Sequence, residues 1–372
     1  MAKLARPPLQ TNSNASGQMM VSSKPSSNFD NLVEFIRGPF CWRIVTFIVL
    51  TSLFFIARQE NQMAIHVSED DHKLFQTRQF THNTNNPLYR CFDADDPLEW
   101  KPTTACTCTD PMIPSKRPLS AWNDHHQRLE KEAFLSTQKK DLDLVMLGDS
   151  IIEFLNGTKS MGTVAYPEMR RLFETFFTKA GGGTIEAVAL GSSGDTSNNI
   201  LWHLQNGLLP SRLQPKAWMI MVGTNDLGRL DCSKRNVLAG ILHVAQVIHE
   251  RKPGVPIIIS ALMPRSDKYE GAPASDYSLG KRWTQILWIN RELKKFCALH
   301  PEWIFFDANQ IFLQKVEIEG HDAQGAVEIN PAMMEDALHP SVQGYEAWAE
   351  GIVEIFQKPP FQKKDSTVSN NL

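Results

Sequence analysis

A chain of 372 residues, 42% apolar and 21% charged, has the make-up of a globular protein; it is long for one domain but does not demand two large ones. A net charge of -3 and the lack of any basic stripe exclude a surface built for nucleic acid. These averages conceal an uneven distribution along the chain.

Residues 1–30 are polar and rich in Ser, Asn, Pro and Gln. They cannot bury enough apolar surface to offset chain entropy, so a disordered tail is expected over 1–39. An apolar run follows from Phe40 to Ala57, broken only by Arg43. At about 1.5 Å per residue it spans roughly 27 Å, close to the thickness of a hydrocarbon core. Arg43 can snorkel to the headgroups and Trp42 sits at the interface. A buried core helix is the alternative, but no later segment complements a helix apolar all round. A cleaved signal peptide fits less well, because the preceding polar stretch is too long and no small-x-small site follows. Lys24 and Arg37 precede the run and Arg43 precedes its uninterrupted part, whereas Arg58 and then Glu60, Glu69, Asp70 and Asp71 follow it. The bias predicts a single-pass type II anchor over 40–57. The larger part of the chain is then luminal (Golgi or ER) or extracellular.

Residues 58–118 are polar, with Pro87, Pro97, Pro102, Pro111, Pro114 and Pro118, and read as a stem. Six cysteines are present: Cys41, Cys91, Cys106, Cys108, Cys232 and Cys297. No C-x-x-C pair occurs, which disfavours zinc and thioredoxin-like chemistry. An oxidising lumen permits one or two disulfides, and buried or free thiols fit the sequence equally well. Asn156-Gly157-Thr158 is a glycosylation acceptor sequence, usable only on a luminal, exposed surface.

The pattern changes near Leu119. Ser120 is placed to cap a helix through Trp122, Leu129, Ala133 and Phe134. Five apolar runs then alternate with amphipathic stretches. The runs are 143–147, 185–190, 217–222, 255–262 and 303–306, the length and composition of strands buried on both faces. The helical stretches are 168–177, 237–249, 283–297 and 345–356, each with one apolar stripe. Such alternation predicts an α/β domain over 119–358, a parallel sheet between layers of helices. Pro359-Pro360 stops the last helix, and a disordered tail is expected over 359–372. Two irregular stretches, 263–280 and 308–335, have the length of binding loops.

Several strands end in residues that carry chemistry. The first runs into Gly148-Asp149-Ser150, the second into Gly191-Ser192-Ser193-Gly194-Asp195-Thr196, and the third into Gly223-Thr224-Asn225-Asp226. Asp336-Ala337-Leu338-His339 precedes the last helix. A parallel sheet brings all four to one rim. Singly, each has a bland reading as a turn, a cap or a surface residue. Together they supply a nucleophile (Ser150), a base (His339), an orienter three residues before it (Asp336), and donors for an oxyanion. Those donors are the N–H groups of Ser150 and Gly194 and the side-chain amide of Asn225. Asp149 and Asp195 flank them as supporting residues. Neither phosphate-loop spacing nor a G-x-S-x-G elbow is present.

These blocks resemble the SGNH (GDSL-type) hydrolase family, over residues 142–356. Gly194-Asp195-Thr196, Ile200-Leu201-Trp202-His203-Leu204 and Leu262-Met263-Pro264-Arg265 further resemble the catalytic subunits of intracellular platelet-activating-factor acetylhydrolase. The resemblance implies a three-layer flavodoxin-like fold with five parallel strands and the roles just given. It implies no metal or organic cofactor. That acetylhydrolase group is cytosolic and has no anchor, so its partners and substrate do not carry over. The 263–280 loop is longer than the usual connection, and folded over Ser150 it would reshape the acyl pocket. Trp202 and His203 read as helix packing; His243, His249 and His321 read as structural or surface residues.

The expected activity is hydrolysis of short acyl esters, acetyl above all, of a lipid or an acetylated glycan. An acyltransferase of the same fold, with a sugar hydroxyl replacing water, is the alternative. A non-catalytic anchored binding module is a third reading. Oligomeric state is not legible.

Overall fold

The computed structural model describes residues 108–269, 272–316 and 326–361, all within the unit Asn83–Leu372. The expected N-terminal tail, the 40–57 span, the stem up to residue 107, His321 and residues 362–372 of the expected C-terminal tail lie outside the described residues. Among the described residues no helix is long and apolar enough to cross a membrane.

The domain enters through α1 (Ser120–Ser136) and then β1 (Leu144–Gly148), whose five residues are all buried. Next come α2 (Ser150–Leu155), the two-residue strands β2 (Thr158–Lys159) and β3 (Thr163–Val164), and α3 (Pro167–Phe177). Strand β4 (Ala187–Gly191) leads into α4 (Ser197–His203), and β5 (Ala217–Met221) into the short α5 (Thr224–Gly228) and the long α6 (Lys234–Arg251). Then follow β6 (Ile257–Ser260), α7 (Lys281–Leu299), β7 (Trp303–Phe306), β8 (Leu313–Val316), β9 (Ala326–Ile329) and α8 (Val342–Phe356).

Five strands form one parallel sheet in the order β4-β1-β5-β6-β7. Its strands alternate their apolar side chains between two cores, which is why they read as continuous apolar runs. Val145, Leu147, Trp218, Ile220, Ile257 and Ile259 join one core with residues of α1, α4, α6 and α7. Leu144, Met146, Ala217, Met219 and Ile258 join the other with residues of α2, α3 and α8. The alternation of elements predicts this parallel sheet between layers of helices, and the family resemblance implies its three-layer α/β/α, flavodoxin-like form.

From β1 the chain passes to β4 on one side, then crosses to β5 on the other. That reversal opens a crevice at the carboxyl ends of β1 and β5, the usual ligand position in such sheets. Gly148 makes the turn out of β1 possible: a Cβ there would lie 2.3 Å from the carbonyl oxygen of Met221 and 2.6 Å from Ile152.

Three expectations need correction. Leu119, not Ser120, caps α1, and no side-chain cap hydrogen bond forms. The 308–335 stretch is not wholly irregular, since β8 and β9 pair antiparallel within it; two four-residue strands are too short for their alternation to stand out. Residues 108–118 were expected in the stem, yet they are bound to the domain. Asn198 Nδ2 donates to the carbonyls of Asp110 and Ile113, at 2.6 and 2.7 Å. Asn199 Nδ2 donates to Ser115 O at 2.8 Å. Cys108 is joined to Cys232 across 124 residues, while Cys297 is a buried free thiol. Closing a loop of that length constrains the unfolded chain by about 4–5 kcal/mol in the chain-entropy account.

Candidate active site

Ser150 is the first residue of α2, directly after β1 and the cap residue Asp149, whose carboxylate accepts the Ile151 N–H at 3.0 Å. Its hydroxyl lies 2.8 Å from His339 Nε2. The other imidazole nitrogen, Nδ1, lies 2.7 Å from Asp336 Oδ2. Asp336 reaches it because the chain turns tightly between the two. Ala337 takes a left-handed φ of 54°, and Asp336 Oδ1 accepts the N–H groups of Leu338 and His339 at 2.9 and 2.6 Å. With Nδ1–H donating to a carboxylate, Nε2 is left as an acceptor for the serine hydroxyl. Burial pushes the Asp336 carboxyl up, but the His339 imidazole and the two backbone N–H groups outweigh it and hold it below the ordinary value.

The rim around Ser150 comes from three loops. Gly194 has a φ of 79°, a conformation that side chains rarely adopt. Neither its N–H nor that of Ser150 has an acceptor among the described residues. Asn225, in the first turn of α5, differs from this expectation of open donors. Its Nδ2 donates to Asp195 O at 3.0 Å and to Asp149 Oδ2 at 3.3 Å. The preceding residue, Thr224, is held by Arg265: Nη1 donates to its carbonyl, and to its hydroxyl at 3.0 Å. Burial pushes the Arg265 guanidinium down to about 10.

Behind the rim stand carboxylates with dense hydrogen bonding. Asp195 is fully buried and accepts from Trp122 Nε1 at 2.7 Å, Arg117 Nη1 at 3.1 Å and His203 Nε2 at 2.9 Å. His203 is therefore packed as expected, and its partner His126 lies 2.8 Å away, Nδ1 to Nδ1. Glu153 accepts the N–H groups of Gly162 and Ser193, each at 2.6 Å, as well as the Ser193 hydroxyl. It ties the β2–β3 turn to the loop that carries Gly194.

Asp149 is the unusual carboxyl. Burial pushes it up to about 7; the Ile151 N–H opposes this, and the nearby Asp226 and Asp195 reinforce it. A raised acid destabilises the native state as pH climbs, because the unfolded chain releases its proton near pH 4 and the native one only near 7. Native stability is expected to fall through that interval by on the order of 4 kcal/mol from this group alone, then level off. Asn at 149 retains an acceptor for Ile151. Chemical denaturation from pH 5 to 8 is expected to show a shallower pH slope for Asp149→Asn than for the wild type. Parallel slopes would refute the assignment.

Aromatic side chains close on His339, a feature with no signature in the sequence. Phe154 from α2 stacks on the imidazole at 4.4 Å and itself meets Tyr166 at 5.0 Å. Tyr269, from the long 263–280 loop, meets the imidazole edge-on at 5.8 Å. That loop is bound to the Asp336 segment through Ser266 N to Ala337 O and Ala274 N to Glu335 O. Among the described residues no three His, Cys, Asp or Glu side chains converge as a metal site.

Residues 146–347 match the model of the GDSL-like Lipase/Acylhydrolase family. The chain is 29% identical over 147 residues to the human platelet-activating factor acetylhydrolase IB subunit alpha2, covering 40% of this chain and 53% of that one. It is 26% identical over 225 residues to the bovine alpha1 subunit, covering 60% and 77% respectively. The chain thus spans about half the length of the alpha2 relatives it matches. A GDSL-like lipase structure from Bacteroides thetaiotaomicron superposes with a TM-score of 0.45 at 18% identity, covering 62% of this chain and 97% of that one.

Proposed function

Because the chain belongs to the GDSL-like Lipase/Acylhydrolase family, we propose that it is a carboxylic ester hydrolase in which Ser150 is the nucleophile. The observation that carries this reading is the unbroken hydrogen-bond chain from Ser150 Oγ through His339 to Asp336. Ser150 Oγ attacks the ester carbonyl while His339 Nε2 takes its proton. Asp336 holds the tautomer and stabilises the imidazolium. The oxyanion is met by the N–H groups of Ser150 and Gly194, with Asn225 sharing the hydrogen of its long bond to Asp149. His339 returns the proton to the leaving alcohol, and water then cleaves the acyl-enzyme with His339 as base.

Short acyl groups, acetyl above all, are the proposed substrates. Supporting this are the acetylhydrolase relatives and the aromatic side chains crowded against His339. We further propose a type II anchor over 40–57, with the domain luminal or extracellular. The Cys108–Cys232 bond supports an oxidising compartment. Asn156, at the C-terminal end of α2, is half-exposed for glycosylation there.

The full chain in detergent, offered 4-nitrophenyl esters from acetate to palmitate, is expected to show its highest kcat/KM on acetate and at least a ten-fold drop by octanoate. A preference for octanoate or longer would overturn the short-acyl reading. Absence of turnover on every ester would overturn the esterase itself.

A further inference from the structure

Two arginines converge on the candidate oxyanion glycine. A Cβ built on Gly194 would lie 3.0 Å from Arg229 Nη1 and 3.3 Å from Arg117 Nη1, so both guanidinium groups border the same point against the Cα of Gly194. Their roles differ. Arg117 is committed to the protein, with Nη1 donating to Ser193 O at 2.7 Å and to Asp195 Oδ1 at 3.1 Å. Arg229 is exposed, and its guanidinium has no hydrogen-bond or ion-pair partner among the described residues.

The two carboxylates that attract Arg229, Asp195 and Asp226, are already taken. Asp195 serves Trp122, Arg117 and His203. Asp226 accepts the hydroxyl of Ser197 at 2.6 Å and its N–H at 3.2 Å. Partial desolvation of its inner side and repulsion from Arg117 both push the Arg229 guanidinium down from its ordinary value, a penalty that a bound anion would relieve.

The chain also invests in holding these residues together. The disulfide joins Cys108, at the head of the segment leading to Arg117, to Cys232, just after Arg229. The two arginines lie far apart in sequence, and the disulfide, together with the amides of Asn198 and Asn199 and the bonds of Arg117 itself, ties the segment of one to the segment of the other.

We propose that Arg229, backed by Arg117, is an anion subsite beside the oxyanion loop, selecting acyl esters that carry a carboxylate or phosphate near the ester bond. The proposal rests on the esterase reading for its substrate, but not for the binding itself. Guanidinium contacts with such anions are charge-assisted and planar, so their loss has a large effect on recognition.

The test uses the full chain in detergent and matched aryl acetates: neutral 4-methylphenyl acetate, 4-acetoxybenzoate, and 4-acetoxyphenyl phosphate. In Arg229→Gln the ratio of kcat/KM, anionic over neutral, is expected to fall about ten-fold or more relative to wild type, and Arg229→Lys to recover part of it. Whichever anionic ester suffers the larger loss identifies the acid group. An unchanged ratio for both would overturn the subsite. Calorimetric binding of 4-hydroxybenzoate and phenyl phosphate gives a readout without turnover. Weaker binding to Arg229→Gln supports the subsite; equal binding, or none to the wild type, overturns it. Failure of the wild type to cleave any acetate sinks the esterase reading alone and leaves the subsite to the calorimetry.

Discussion

Replacing Ser150 with alanine is expected to lower kcat on an acetyl ester roughly a million-fold, to the level set by binding and the oxyanion donors alone. That is about 8 kcal/mol of transition-state stabilisation. The size follows from geometry. Among the described residues the only side-chain bond that the Ser150 hydroxyl makes is to His339 Nε2, so its removal deletes the attacking atom and leaves the imidazole still bonded to Asp336. The backbone N–H of residue 150 and the turn cap from Asp149 survive in the variant. Folding and KM are therefore expected to change little, and a fluorophosphonate that labels the wild type is expected to leave the variant unlabelled. Retention of more than a hundredth of wild-type kcat would reject Ser150 as the nucleophile.

Most of what this prediction depends on was legible in the sequence, for a physical reason. A strand buried on both faces has to be apolar throughout, so Leu144–Leu147 and Ala217–Met221 announce themselves without any periodicity. The fourth run overshoots the C-terminal end of its strand, 255–262 against Ile257–Ser260, because Ala261 and Leu262 stay buried after the pairing ends. The rim motifs were legible because each is local: a turn after one strand, or two residues within one turn of chain. What escaped was whatever depends on distant segments meeting. Both Arg117, from a stretch whose prolines suggest only a stem, and Trp122, from the first helix, reach Asp195 from ahead of β1. The Phe154 ring over His339 depends on where α8 docks against α2, which Tyr345 sets by donating to Ile151 O at 2.7 Å. The pairing of Cys108 with Cys232 was one of several that six cysteines allow. Asn225 was legible as a donor, but not its engagement with Asp149 and Asp195.

Asparagine at 336 is expected to cost about 10⁴ in kcat while disturbing the fold far less than the loss of a partly buried, hydrogen-bonded carboxylate suggests. One oxygen of the side chain suffices for the turn, because Oδ1 alone accepts both backbone N–H groups, from Leu338 and His339. The amide nitrogen then takes the place of Oδ2 and presents hydrogens to His339 Nδ1, where the wild type presents an acceptor. The imidazole responds by carrying its proton on Nε2, facing the Ser150 hydroxyl with a donor instead of a lone pair. It then cannot act as base, although every distance in the site is nearly unchanged. Stability carries a second signature. The Asp336 carboxyl is held below its ordinary value, so its contribution is fully present above about pH 4 and is lost as the pH falls through the lower native value. Asp336→Asn is expected to flatten that acid limb in denaturation measured between pH 2 and 5. A variant with near-normal kcat would reject Asp336 as the orienter. A variant with low kcat and an unchanged acid limb would show that the carboxylate is not charged against His339 in the native state.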